Sequence, residues 1–316
     1  MFTSQPLFQT LSGRPSSHCA TLCELPAGEL LAAWFAGAFE TATDVSIVMA
    51  RFSPGDSSWS APEVVVDVPS RSLGQPVFLV HPSGELWLFF DVIEGDGWTS
   101  ARPYLQRSQD LGRSWSEPEL LLDYPGLMFR SKPLILGHRI VMPVYDEVLW
   151  QSRFMTSDDS GSTWQLGDPL VSPPGNIHPS VVQLSDGRLL AYLRTGGRGG
   201  TIWRTESTDD GDRWTTPTPI ELPNPNSGLD LVKLAGGSLL LAFNDHPKRR
   251  TPLSLAVATE NEVWSRRRII ENGAGEFSYP TLLQAQDGTI HLVYTYQRKH
   301  IEHATFDEAW LFDEAS

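Results

Sequence analysis

The sequence predicts an all-β fold, a six-bladed β-propeller of four-stranded antiparallel blades spanning residues 1–316 as one domain. Three observations predict it. An eight-residue turn motif recurs, a tryptophan returns about every fifty residues, and a glycine turn keeps phase with both.

The turn motif has the pattern S-x-D-x-G-x-x-W. It occurs as Ser108-Gln-Asp110-Leu-Gly112-Arg-Ser-Trp115, Ser157-Asp-Asp159-Ser-Gly161-Ser-Thr-Trp164 and Ser207-Thr-Asp209-Asp-Gly211-Asp-Arg-Trp214. Weaker copies end in Trp59 and Trp264, and the tail adds Trp310, giving steps of 56, 49, 50, 50 and 46 residues. Gly28, Gly84, Gly137, Gly187, Gly237 and Gly288 mark short turns in the same register. Most precede apolar runs such as Leu86-Trp-Leu-Phe-Phe90 and Leu239-Leu-Leu-Ala-Phe243.

Each unit therefore reads as strand, glycine turn, strand, loop, strand, Asp turn and short strand, which is the grammar of a propeller blade. In the Asp turn the carboxylate is expected to accept backbone N–H bonds, the glycine to take a positive φ and the tryptophan to pack between strands. The motif thus predicts architecture and carries no chemistry. The chain start, around Gln5 to Thr10, is expected to supply the last strand of the sixth blade and so cover an open edge.

Composition narrows the function. With a formal net charge of −14 the chain lacks the basic footprint of phosphate binding, which argues against nucleic acid. An anionic substrate would need a local cluster of arginines. Cys19 and Cys23 lie four apart in a predicted strand, roughly 13 Å by strand rise, too far for a disulfide. Both are expected as free thiols, and no histidine stands at zinc-ligand spacing. No apolar stretch approaches the ~20 residues of a bilayer span. Met1 to Thr10 lacks the pattern of a secretory leader, so a cytoplasmic location is the expectation.

In a propeller, the loops after the second strands and the segments leading into the first strands share one rim. The loops hold Glu40 and Asp44, Tyr145 to Glu147, Arg194, Arg250 and Arg298. The lead-in segments hold Arg14 and His18, Arg130, His178, Asn226 and Tyr279. Converging at one mouth, they would form a ligand site rich in arginine, histidine and tyrosine. Asn226 suits sugar hydroxyls, and Trp98 or Trp203 offers a stacking face.

At these residues, over nearly its whole length, the chain resembles the sialidase superfamily, in particular its BNR repeat-like members, whose repeated turn is the Asp box. The resemblance implies a glycosidase acting on carbohydrate, with no metal or cofactor. Asp44, 16 residues after Gly28, resembles the general acid/base, with Glu40 as a second candidate. Tyr279, nine residues before Gly288, resembles the tyrosine nucleophile. Arg194 and Arg250 resemble the second and third arginines of the triad that grips the substrate carboxylate. His18 stands where the first arginine is expected, with Arg14 nearby. His178 stands in place of the glutamate that activates the tyrosine, and Thr295 in place of the glutamate that supports the first arginine.

A tyrosine needs a base or nearby cations to act as a nucleophile. His178 or Glu147 is placed to take its proton, while Arg194, Arg250, Arg130 and Arg298 are candidate substrate contacts. The expected function is a sialidase-like glycoside hydrolase acting on a terminal acidic sugar. Two alternatives use the same residues: a uronate lyase, with arginine neutralising the carboxylate and histidine or tyrosine moving the proton, and a non-catalytic carbohydrate-binding propeller.

Overall fold

The computed structural model describes residues 1–313. Six antiparallel sheets follow one another along the chain, bearing out the six-bladed β-propeller fold class. The first blade runs Ser16–Glu24, Leu30–Gly37, Ser46–Phe52 and Glu63–Val66. The fourth runs Asn176–Gln183, Leu189–Thr195, Gly200–Ser207 and Thr218–Asn224. In the third blade the lead strand is split into Leu127–Phe129 and Leu134–Leu136 around the Arg130–Pro133 segment.

The chain divides into two compact units. The first comprises Met1–Phe129 and the chain from Pro280 onward; the second is Arg130–Tyr279.

Four second strands are buried along their whole length, among them Leu30–Gly37 and Leu86–Ile93. A strand covered on both faces selects a continuous apolar run instead of an alternating one, and each large aliphatic or aromatic side chain so buried stabilises by about 1.5–3 kcal/mol. Some second strands end in a buried polar residue that fixes the following loop. Asp146 accepts the Val148 and Leu149 N–H groups, both at 2.8 Å. The Asn244 amide donates to the Phe277 carbonyl at 2.8 Å.

The Asp boxes are built alike. Asp110 accepts the Ser114 N–H at 2.8 Å and Asp159 the Thr163 N–H at 2.8 Å. The serine contributes as well: the Ser108 hydroxyl donates to Asp110 at 2.8 Å and accepts the Gly112 N–H at 2.7 Å. Gly112, Gly161 and Gly211 take φ of +83°, +83° and +92°. In the fifth blade Asn261 stands in for the aspartate, accepting the Val263 N–H at 3.2 Å.

The box tryptophans clasp the preceding blade. Trp214 stacks on Phe154 at 3.9 Å, and Trp264 donates its indole N–H to the Tyr192 hydroxyl at 3.1 Å. Trp59 donates to His303 Nδ1 at 3.0 Å, which places the His303 proton on Nε2, facing His291 Nδ1 at 2.9 Å.

Two expectations are corrected. Trp310 is not a box tryptophan: it lies in the helix Glu308–Phe312 and stacks on Phe2 at 4.9 Å. The N-terminal strand is Thr3–Pro6, earlier than Gln5 to Thr10, and it pairs with His300–Phe306 in the sixth blade. Cys19 and Cys23 are buried free thiols.

Candidate functional site

Several first strands share one local device. The pairing of first with second strand slips between His18 and Thr21, Gly74 and Val77, and Ile177 and Ser180. Within each slip one residue takes a positive φ: Cys19 (+59°), Gln75 (+48°) and His178 (+53°). Tyr279 has φ +53° in the sixth blade's first strand, Phe277–Gln284. Proline follows Gln75, His178 and Tyr279. A bulge of this kind re-aims a side chain out of strict alternation. A positive φ on a bulky residue costs of order 1–3 kcal/mol and persists only where the surroundings enforce it.

In the second unit this device brings Tyr279 and His178 together. Both are buried, with ring centroids 5.6 Å apart in an edge-on arrangement. Arg194, near the end of Leu189–Thr195, donates from Nη1 to the Tyr279 hydroxyl at 2.9 Å. The same Nη1 lies 3.3 and 3.4 Å from the two ring nitrogens of His178, long for hydrogen bonds. Arg194 Nε donates to Asn226 Oδ1 at 2.7 Å. Arg194 is only 6% exposed, and among the described residues it has no carboxylate partner. The salt bridge to a rim carboxylate, the bland explanation for this residue, is absent there.

Two further arginines flank the tyrosine. The guanidinium carbons of Arg250 and Arg130 lie 5.3 and 5.4 Å from the Tyr279 ring centre, and that of Arg194 at 5.8 Å. Arg130 is 3% exposed. Arg250 pairs with Glu276 at 2.8 Å and donates to the Asn226 carbonyl at 3.0 Å. Asn226, at φ +62°, thus links Arg194 to Arg250, and its amide donates to the Gly197 carbonyl at 2.9 Å. Glu147 sits in the turn just beyond Asp146, two residues after Tyr145, whose ring packs edge-on against His178 at 4.7 Å.

Three residues of this cluster were given no site role from the sequence. Glu276 is the counter-ion of Arg250 and accepts from the Ser278 hydroxyl at 2.6 Å. Trp150 faces the Arg194 guanidinium at 5.7 Å. Gly228 backs the tyrosine: a Cβ there would lie 3.3 Å from Tyr279 Cδ1. Gly228 lies two residues after the candidate Asn226 and Glu276 three before Tyr279, so position alone hinted at both.

The remaining candidates lie in the first unit. The Asp44 carboxylate is exposed and accepts the Ala38 N–H at 3.1–3.2 Å. Arg14 donates to the Ala36 carbonyl at 3.0 Å and to the Asp44 carbonyl, so it braces the loop that carries Asp44. Glu40 and Arg298 form an ion pair with each other. His18, 1% exposed, meets the Thr295 hydroxyl at 2.8 Å, and that hydroxyl also accepts the Cys19 N–H at 3.0 Å. The two departures from the family pattern, His18 and Thr295, therefore hydrogen-bond to one another. Trp98, the proposed stacking face, packs against Gly74 and beside Phe35, with the Trp98 and Phe35 ring centres 6.0 Å apart.

Among the described residues, no helix is long and apolar enough to cross a membrane, and no three metal-ligating side chains cluster.

Comparison with known proteins agrees with this architecture. Residues 28–292 match the BNR repeat-like domain family. The sialidase of Micromonospora viridifaciens is 25% identical over a 361-residue alignment covering 98% of this chain and 54% of that protein. The anhydrosialidase of Macrobdella decora is 28% identical over 132 residues, 37% of this chain and 17% of that protein. This chain thus spans about half the length of the first relative and a smaller part of the second. Among solved structures, the Hadza microbial sialidase Hz136 aligns with a TM-score of 0.84 at 19% identity, over 98% of this chain and 69% of that one. A Dyadobacter fermentans protein of unknown function aligns with a TM-score of 0.80 at 16% identity, over 96% of this chain and 98% of that one. The chain belongs to the BNR repeat-like domain family, with a sialidase-like glycosidase fold.

Proposed function

We propose that this chain is a sialidase-like glycoside hydrolase that releases a terminal acidic sugar from a glycan. Arg194 carries the reading: it is a buried guanidinium without a carboxylate partner among the described residues, aimed at the hydroxyl of a strained tyrosine. An uncompensated buried cation is costly, and an anionic ligand beside Tyr279 relieves that cost.

In the proposed reaction the Tyr279 oxygen attacks the anomeric carbon as the bond to the leaving oxygen breaks. Arg194 donates to one lone pair of the hydroxyl, leaving the phenolic proton for another acceptor. His178, whose ring lies edge-on to Tyr279 at 5.6 Å, is the proposed acceptor, with Glu147 as the second candidate. Asp44 protonates the leaving oxygen, a role that comes from the resemblance to sialidases. Water then displaces the tyrosine and the sugar leaves with retained configuration, the tyrosine exception to the two-carboxylate scheme. Arg194, Arg250 and Arg130 hold the substrate anion.

The test is turnover on a panel of aryl glycosides and acidic oligosaccharides, with Tyr279→Phe and Asp44→Asn alongside wild type. Reducing-sugar release that both variants lose supports the reading. An unsaturated uronate absorbance in its place identifies β-elimination, and saturable binding without turnover identifies a binding protein.

A further inference from the structure

Arg250 and Glu276, beside Tyr279, also line a cavity of about 670 Å³ between two loops of the second unit. That volume falls in the range of roughly 300–1,000 Å³ typical of ligand sites. One wall is Arg249 to Pro252 and the other Asn272 to Glu276. The loops are tied at their base: Phe277 N–H donates to the Arg250 carbonyl at 2.9 Å, and the Thr251 hydroxyl to the Gly273 carbonyl at 2.9 Å. The cavity therefore has a built floor. Gly273-Ala274-Gly275 projects nothing larger than a methyl group into the space.

The Arg250–Glu276 ion pair separates this cavity from Tyr279. Arg250 pairs with Glu276 and lies against the Tyr279 ring, where it serves the cleavage site, so an anion in the cavity needs a further group. Arg249 supplies it. Among the described residues its hydrogen bonds run to His246, through Nε at 3.2 Å and its backbone N–H at 3.0 Å. Among the described residues neither Arg249 nor Lys248 has an acidic partner. Arg249 in the cavity lining, next to Lys248 in sequence, contrasts with a chain of net charge −14. Across the cavity the exposed Asn272 amide has no hydrogen-bond partner among the described residues, offering donors and an acceptor suited to sugar hydroxyls.

We propose that this cavity is a subsite for a second sugar of the same glycan, and that it selects an anionic one, bearing a carboxylate or a sulfate, through Arg249. The proposal rests on the reading of the Tyr279 cluster as the cleavage site. It makes the substrate an oligosaccharide with acidic groups on neighbouring residues.

The experiment compares KM for three oligosaccharides of equal length whose second sugar is neutral, a uronate or a sulfated hexose, in wild type, Arg249→Ala and Asn272→Ala. Wild type is expected to favour an anionic second sugar, and Arg249→Ala to shrink that preference about tenfold, the scale of one charge-assisted hydrogen bond. Preference for the uronate or for the sulfated sugar names the anion. Asn272→Ala is expected to raise KM for all three alike. An unchanged ratio in Arg249→Ala, or no anionic preference in wild type, overturns the proposal. If no oligosaccharide is cleaved, the cleavage reading fails, and calorimetric binding of the same three ligands decides the subsite: weaker anionic binding in Arg249→Ala supports it, and equal binding or none overturns it.

Discussion

Arg194 donates to the Tyr279 hydroxyl at 2.9 Å from a position where no carboxylate, among the described residues, offsets its charge. The pair joins the fourth blade to the sixth blade's first strand and sets the polarity of the second unit's candidate site. Arg194→Ala is expected to lower kcat/KM by about 10²–10³, the scale for removing one preorganised donor at a reacting oxygen. Arg194→Lys is expected to recover only part of the loss, because an ammonium cannot contact Asn226 and Tyr279 through a planar fork. Steady-state kinetics on the best panel substrate reads both.

Gly228 tests how closely Tyr279 must be placed. A methyl group there would meet Tyr279 Cδ1 at 3.3 Å and Cγ at 3.5 Å, tight enough to push the ring by a few tenths of an ångström. Gly228→Ala is therefore expected to reduce kcat several-fold while thermal stability changes little. Equal kcat in the variant would show that the ring has slack.

Acid stability carries the signature of the Trp59–His303–His291 chain. Burial pushes His291 down to about 4, against a smaller upward pull from Asp287. Burial, then the neighbouring His291, push His303 down to about 3. In the unfolded chain both titrate near 6.5. Below pH 6.5 the unfolded state binds more protons than the native state, so stability falls as pH drops from 6.5 toward 3 and is flat above it. The loss attributable to His291 alone is about 3 kcal/mol. Denaturant midpoints at pH 7.5, 6.5, 5.5 and 4.5 should decline below 6.5, and less steeply in His291→Gln.

The Asp boxes act in a lower window. Hydrogen bonds from the Thr163 N–H, then its hydroxyl, hold Asp159 down at about 2, so its contribution is present above pH 3.8 and lost as pH falls through 2. Asp159→Ala is expected to lower stability at neutral pH by leaving the Thr163 N–H and hydroxyl without their acceptor. Turnover per folded molecule should not change. Thermal melts and active-site-normalised rates separate the two effects.

The repeat was legible because the Asp box is a local device: serine, aspartate and glycine satisfy one another within five residues, whatever the rest of the chain does. Trp310 misled because a tryptophan at the right spacing, without the turn chemistry, does not make a box. Tyr279, His178 and Arg194 were legible because each sits at a fixed place in the repeat, where a bulge or strand end aims it. Glu276 and Trp150 were not, since their roles arise from loops that meet only after folding. The Glu40–Arg298 pairing was hidden for the same reason, as its partners lie in different blades.

The most direct test of the account is to quench wild type during turnover of its best panel substrate, or of the matching 3-fluoro glycosyl fluoride, and map the adduct by peptide mass spectrometry. The account predicts one sugar residue attached to the peptide containing Tyr279, and none in Tyr279→Phe. A sugar on another side chain, or full turnover by Tyr279→Phe, would contradict it.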